Sequence, residues 1–160
     1  MIRHAKSSWK FPDLSDHDRP LNKRGQANIL PMAEFLNRQA LLLEKIYSSS
    51  AERALCYAQG LSDVCDIPLE VNQSLYTFSH QALMAQVHSL DNRLQSVALV
   101  GHNPAITSVV NELAVVDIAN MPTAAMALIQ FNDSSWQKLG SANSELLFMQ
   151  SPKMLKSETP

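Results

Sequence analysis

Two histidines and two arginines carry most of the chemistry that this sequence offers. His102 stands directly after the apolar run Val97-Ala98-Leu99-Val100, inside Gly101-His102-Asn103-Pro104. An imidazole at the end of a run that reads as a fully covered strand is costly to keep there unless a site uses it. Arg3 and His4 follow Met1-Ile2, and Arg53 follows the short run Lys45-Ile46-Tyr47-Ser48. Taken singly, Arg53 reads as a solvated helix residue and the Arg-His pair as nothing special. Taken together, imidazoles among guanidinium groups suit an anion, whereas a metal ion would be repelled by the cations with no carboxylate to balance it. A phosphoryl group fits best. Arginine presents a planar fork matched to phosphate oxygens, and a neutral imidazole nitrogen can attack phosphorus to form a covalent intermediate.

Those residues need a scaffold that brings three separate segments to one edge. Asn22 is placed to cap a helix running to about Ala40, with Ile29, Met32, Ala33, Leu36 and Ala40 on one side. Pro31 falls inside it, so a kink or restart is expected nearby. Residues 45–48 read as a strand and Ala51, Leu55, Ala58, Leu61 and Cys65 as a helical stripe. Residues 69–71, 97–100, 124–131 and 145–149 read as further strands, and 79–90 and 104–114 as helices. The segment from Lys6 to Arg19 lacks either period and reads as a structured loop, and the tail from Ser151 reads as coil. Alternating strands and helices imply an α/β fold, a three-layer α/β/α sandwich around a mostly parallel central sheet. In such folds the site lies at the carboxyl ends of the strands, which is where Arg3, His4, Arg53 and His102 all fall.

At these positions the sequence resembles the histidine phosphatase superfamily. The run RHAKSSW at 3–9 looks like its Arg-His signature, SSAERA at 49–54 is similar to its Ser-Pro-x-x-Arg-Ala element, and VGHNP at 100–104 resembles its second-histidine segment. DHDRPLNKRG at 16–25 and MPTAA at 121–125 resemble the small SixA-type branch of phosphohistidine phosphatases. The resemblance implies the phosphoglycerate mutase-like fold in a single domain over 1–160. It implies His4 as the nucleophile carrying the phosphoryl group, Arg3, Arg53 and His102 as the phosphate pocket, and Arg19 as a further phosphate-facing arginine; the alternative for Arg19 is a loop arginine paired with Asp16 or Asp18. It implies no cofactor and no metal, and a phosphorylated protein domain or a small phosphorylated molecule as partner. A small-molecule phosphomonoesterase and a phosphate-binding module without turnover are the alternative readings.

Two departures from the wider superfamily matter. Larger members place an acid near LYTFSHQAL at 75–83 to protonate the leaving oxygen, but no Glu or Asp occurs here between Glu70 and Asp91. Proton transfer is worth about 10²–10⁴-fold, so an alkyl phosphate would suffer most and a phosphoramidate such as phosphohistidine least. Asp16 or Asp18, on the loop over the site, is the alternative source of that proton. The family also begins with a full strand, for which this chain supplies only Met1 and Ile2; a first strand truncated at its start, with the native chain beginning upstream, is therefore expected.

Composition narrows the remaining classes. Thirteen Lys+Arg against fifteen Asp+Glu give a net charge of -2, which offers no broad attraction to nucleic acid. No apolar run is long enough to span a membrane, and nothing at the start resembles a signal peptide, so a cytoplasmic protein is expected. Cys56 and Cys65 fall on opposite sides of one helix and lack metal-ligand spacing, so both read as small apolar residues.

Overall fold

A computed structural model of the chain describes residues 1–39 and 41–158. One six-stranded sheet forms its middle, in the order β3-β2-β4-β1-β5-β6. The strands are β1 (Ile2–Arg3), β2 (Lys45–Ser48), β3 (Leu69–Val71), β4 (Val97–Gly101), β5 (Met126–Phe131) and β6 (Ser144–Gln150). The first four run parallel, whereas β5 is antiparallel to β1 and β6 is antiparallel to β5. The helices are α1 (Lys23–Ala27), α2 (Ile29–Arg38), α3 (Glu52–Cys65), α4 (His80–His88), α5 (Ala105–Ala114) and α6 (Pro152–Glu158).

Alternation along the strands divides the core into two layers. Ile46, Ala98, Val100 and Met126 point to one face, where Met32, Ala33 and Leu36 of α2 meet Tyr57, Ala58 and Leu61 of α3. Tyr47, Leu99 and Ala127 point to the other, against Leu83 and Val87 of α4 and Ile106, Val110 and Leu113 of α5. Adjacent strand residues thus serve opposite layers, as a period of two requires. This is the expected three-layer α/β/α sandwich.

Local chemistry explains the boundaries. Asn22 caps α1, its side chain accepting from Gly25 N at 2.9 Å. The long helix expected from Asn22 restarts at Asn28, three residues before Pro31, so that the missing proline donor falls in the first turn of α2 where none is needed. Ala40, expected on the same face, lies outside the described residues. The tail is corrected: residues 152–158 form α6, started by Pro152 with Met154 N bonded to Ser151 Oγ, and its Leu155 packs against the core. A helix of seven residues offers too little periodicity to be read from sequence.

β1 holds only two residues, yet it is bonded on both sides. Ile2 and Arg3 pair with Val100 and Gly101 of β4, and Ile2 pairs with Met126 of β5. His4 extends both ladders, donating to Gly101 O at 3.1 Å and accepting from Ala124 N at 3.0 Å. A groove of about 250 Å³ near the start of β4 is lined by Leu94, Val97, Leu128, Ile129, Phe131 and Trp136 among others.

Candidate active site

Three strand ends converge. β1 delivers Arg3 and His4, the turn after β2 delivers Ser49 and Arg53 at the start of α3, and β4 delivers His102. His4, Arg53 and His102 are all buried, and Arg3 is half-buried. Burying that much polar surface is tolerable only because nearly every group has a partner.

Hydrogen bonds fix both imidazole tautomers. His4 Nδ1 lies 2.8 Å from Ala5 O, which can only accept, so Nδ1 carries the proton. Its Nε2 is therefore bare, and Arg53 Nε donates toward it at 3.4 Å. His102 Nδ1 faces Arg53 Nη2 at 3.3 Å, and since the guanidinium can only donate, the His102 proton sits on Nε2 and goes to Ser49 Oγ at 2.7 Å. The two rings are 5.0 Å apart, so a single tetrahedral anion can touch a nitrogen of each.

Burial and charge keep both rings neutral. Desolvation, helped by Arg53 and Arg3 against an opposing bond to Ala5 O, lowers His4 to about 4. Desolvation, then the neighbouring His4 and Arg53, lowers His102 to about 3. A neutral ring with one bare nitrogen is the form that can attack phosphorus.

Arg3 reaches Asn120 Oδ1 at 3.1 Å and also donates to Met121 O. Its Nε is buried with no partner among the described residues, so that donor is open to a ligand. Asn103 Nδ2 reaches the same Asn120 and Met121 oxygens, which ties the segment after β4 to the one before β5.

Arg19 is buried and points its donors at protein: Nε to Ser8 O at 3.1 Å, Nη2 to Ser7 Oγ at 2.7 Å and Nη1 to Asp16 Oδ1 at 2.9 Å. Its guanidinium also stacks on Trp9, 3.3 Å from the ring centre. Arg19 is thus joined to the site through Asp16, whose other oxygen accepts from Arg53 Nη2 at 2.8 Å and from Tyr76 Oη at 2.9 Å. Partial desolvation raises the Asp16 carboxyl, but bonds from Tyr76, Arg53 and Arg19 outweigh it and hold the group at about 2. The loop from Lys6 to Arg19 therefore does bring Asp16 over the site, as an ionised partner of two arginines. Asp18 is turned outward and bonds Ser15 and His17.

Two contributors had no assigned role in the sequence, although Tyr76 lies in the stretch 75–83 that departs from larger members. Ser49 lies in SSAERA without a role of its own there, yet it orients His102. Tyr76 packs edge-on to His102 at 5.3 Å, with Phe78 beside it at 5.5 Å. Gly25 is also part of the support, because a Cβ there would stand 2.3 Å from Lys6 O. That contact lets α1 back directly onto the segment leaving His4.

Comparison with known proteins places this geometry in a family. Residues 1–83 match the model of the histidine phosphatase superfamily, branch 1, and the chain belongs to that superfamily. Its fold superposes on the protein histidine phosphatase SixA complexed with tungstate, with a TM-score of 0.79, 25% identity and 96% of each chain covered. It is similar to an uncharacterized chloroplastic protein of Arabidopsis thaliana, 29% identical over 86% of this chain and 68% of the relative. It is also similar to an uncharacterized protein of Mycobacterium leprae, 26% identical over 95% of this chain and all of that one. The chain is a phosphatase of the kind that works through a phosphohistidine intermediate.

Proposed function

We propose that His4 Nε2 is the nucleophile of a phosphohistidine phosphatase whose substrate is a phosphorylated histidine on a protein domain. The carrying observation is the His4 tautomer: Nδ1 is spent on Ala5 O, and bare Nε2 faces a guanidinium edge. In the first step the substrate's P–N bond breaks as a P–Nε2 bond forms on His4, and the substrate ring, already protonated by solvent on its other nitrogen, departs as neutral imidazole. In the second, water attacks phosphorus, the P–Nε2 bond breaks, and the water's proton leaves with phosphate or solvent. Arg3 and Arg53 donate to the phosphoryl oxygens as charge builds on them; His102 joins them by taking up a proton on its bare Nδ1, which the dianion favours, while Nε2 stays bonded to Ser49 Oγ, and Arg19 supports the pocket through Asp16.

Substrate class follows from what surrounds the site. Asp16 is held ionised, so it has no proton to give a poor leaving group, whereas an imidazole leaves readily. Phe78, 47% exposed and 5.5 Å from His102, offers an aromatic wall suited to a protein-borne imidazole, and the 74% exposed Trp9 stacks on Arg19. The free Cys56 and Cys65 suit a reducing cytoplasm, and no metal ion or cofactor enters the step. On this reading the chain is one histidine phosphatase domain acting in signal transduction.

Incubation with a phosphohistidine-bearing phosphotransfer domain should leave an acid-labile phosphoryl group on wild-type enzyme. The label should be absent in His4→Ala, with turnover lost as well. Turnover surviving in His4→Ala would sink the covalent mechanism. Faster turnover of sugar phosphates than of the phosphorylated domain would favour a small-molecule phosphatase.

A further inference from the structure

Arg53 is gripped unequally on its two edges. On the outer edge Nη2 donates to Asp16 Oδ2 at 2.8 Å, and Nη1 donates to the Asp16 carbonyl. On the inner edge the contacts to His4 Nε2 and His102 Nδ1 are 3.4 and 3.3 Å. The outer bonds include a short charge-assisted one, while the inner ones run to neutral nitrogens at the limit of hydrogen bonding. An entering phosphoryl group can replace the inner pair and leave the outer pair untouched.

The grip is itself anchored. The Asp16 carboxylate also accepts from Tyr76 Oη, beside His102, and from Arg19 Nη1. Arg19 in turn holds Ser7 Oγ and Ser8 O, just beyond His4. Asp16 thus ties the segment after β1, the start of α3 and the aromatic wall to one carboxylate. Its side chain is nearly half exposed, so burial does not explain why it sits there.

We propose that Asp16 is a positioning residue of the phosphatase reaction, fixing the Arg53 guanidinium so that its inner edge meets the phosphoryl group in the transition state. The proposal rests on the functional reading given above and adds a residue to it. Asp16 touches neither the nucleophile nor the phosphoryl oxygens. A carboxylate that merely occupied the phosphate position would give the opposite behaviour, because removing its charge would strengthen anion binding.

The test compares wild type, Asp16→Asn, Asp16→Glu and His4→Ala with p-nitrophenyl phosphate. Inorganic phosphate serves as a ground-state probe and vanadate as a transition-state mimic. A misaligned donor costs about 10–100-fold. Asp16→Asn should lose that much kcat and the same factor in vanadate affinity, while phosphate binding changes less than about threefold, the split expected for an interaction realised in the transition state. Asp16→Glu, which keeps the carboxylate, should recover part of both and guards against a folding defect in the Asn variant. Unchanged kcat in Asp16→Asn, or markedly tighter phosphate binding with kcat retained, overturns the proposal. Activity retained in His4→Ala would instead overturn the covalent reading, so the two failures are distinguishable.

Discussion

Arg53 faces the bare nitrogen of both His4 and His102, through Nε at 3.4 Å and Nη2 at 3.3 Å, so one guanidinium serves two imidazoles whose rings are 5.0 Å apart. Neither ring could be protonated on that nitrogen without meeting a cation. Arg53 therefore helps to keep the rings neutral as well as to bind an anion, and the site's dependence on pH follows from that.

Activity should persist well below the pH at which an ordinary histidine protonates. The nucleophile must be neutral, and His4 is lowered to about 4, so kcat/KM corrected for substrate ionisation should stay level from pH 8 to near 5 and fall only as pH approaches 4. Stability moves the same way. His4 and His102 bind protons more weakly folded than unfolded, so their contribution is complete above about 6.5 and is lost as pH falls through about 4 and 3. A pH–rate profile with an acid limb near 6.5 would show that His4 titrates as an unperturbed imidazole.

Ser49→Ala should impair catalysis more than stability. Its hydroxyl accepts from His102 Nε2 at 2.7 Å and from Ala51 N at 3.3 Å, and without it the His102 tautomer is no longer fixed. Mispositioning a group that acts on transition-state charge should lower kcat about 10-fold or more. The buried Nε2 proton left unpaired costs roughly 1–3 kcal/mol, readable as a lowered denaturation midpoint. Wild-type kcat in Ser49→Ala would mean that His102 is oriented by other contacts.

Rates should fall steeply as the leaving group becomes more basic. With Asp16 held near 2 and Asp18 turned to Ser15 and His17, neither supplies a proton at neutral pH. Phosphohistidine and p-nitrophenyl phosphate should be cleaved, and glycerol or hexose phosphates poorly. The steepness should be the same in Asp18→Asn, and EDTA should leave all rates unchanged. A flat dependence that turns steep in Asp18→Asn would identify Asp18 as the acid after all, and activity lost to EDTA and restored by Mg²⁺ would require a metal.

The strand-end positions of Arg53 and His102 were legible because short strand-like runs and helical stripes mark the βα junctions, whereas His4 had only Met1-Ile2 before it and was placed by the Arg-His motif. The residue types then named the chemistry. Asp16 and Ser49 were not legible as supports, because what each does depends on partners distant in sequence: Arg53 is 37 positions from Asp16, and His102 is 53 from Ser49. Both stand in segments the motifs mark, and Asp16 reads as an alternative proton donor, but nothing local to either names the residue it supports. Arg19 shows a middle case: the motif flagged the residue and its pairing with Asp16, three positions away, was one of two readings, but the bonds to Ser7 and Ser8 had no signal. The restart at Asn28 was foreshadowed by Pro31, whereas α6 was too short to announce itself.

β1 has a mechanical consequence. Among the described residues it is the backbone seam between two halves of the sheet, β3-β2-β4 on one side and the β5–β6 hairpin on the other. Any force or local unfolding that parts the hairpin from the parallel half must therefore break the bonds of Ile2, Arg3 and His4. The nucleophile is thus riveted into the joint where the sheet would open, and a lesion in the hairpin, far from any phosphate, is transmitted straight to it.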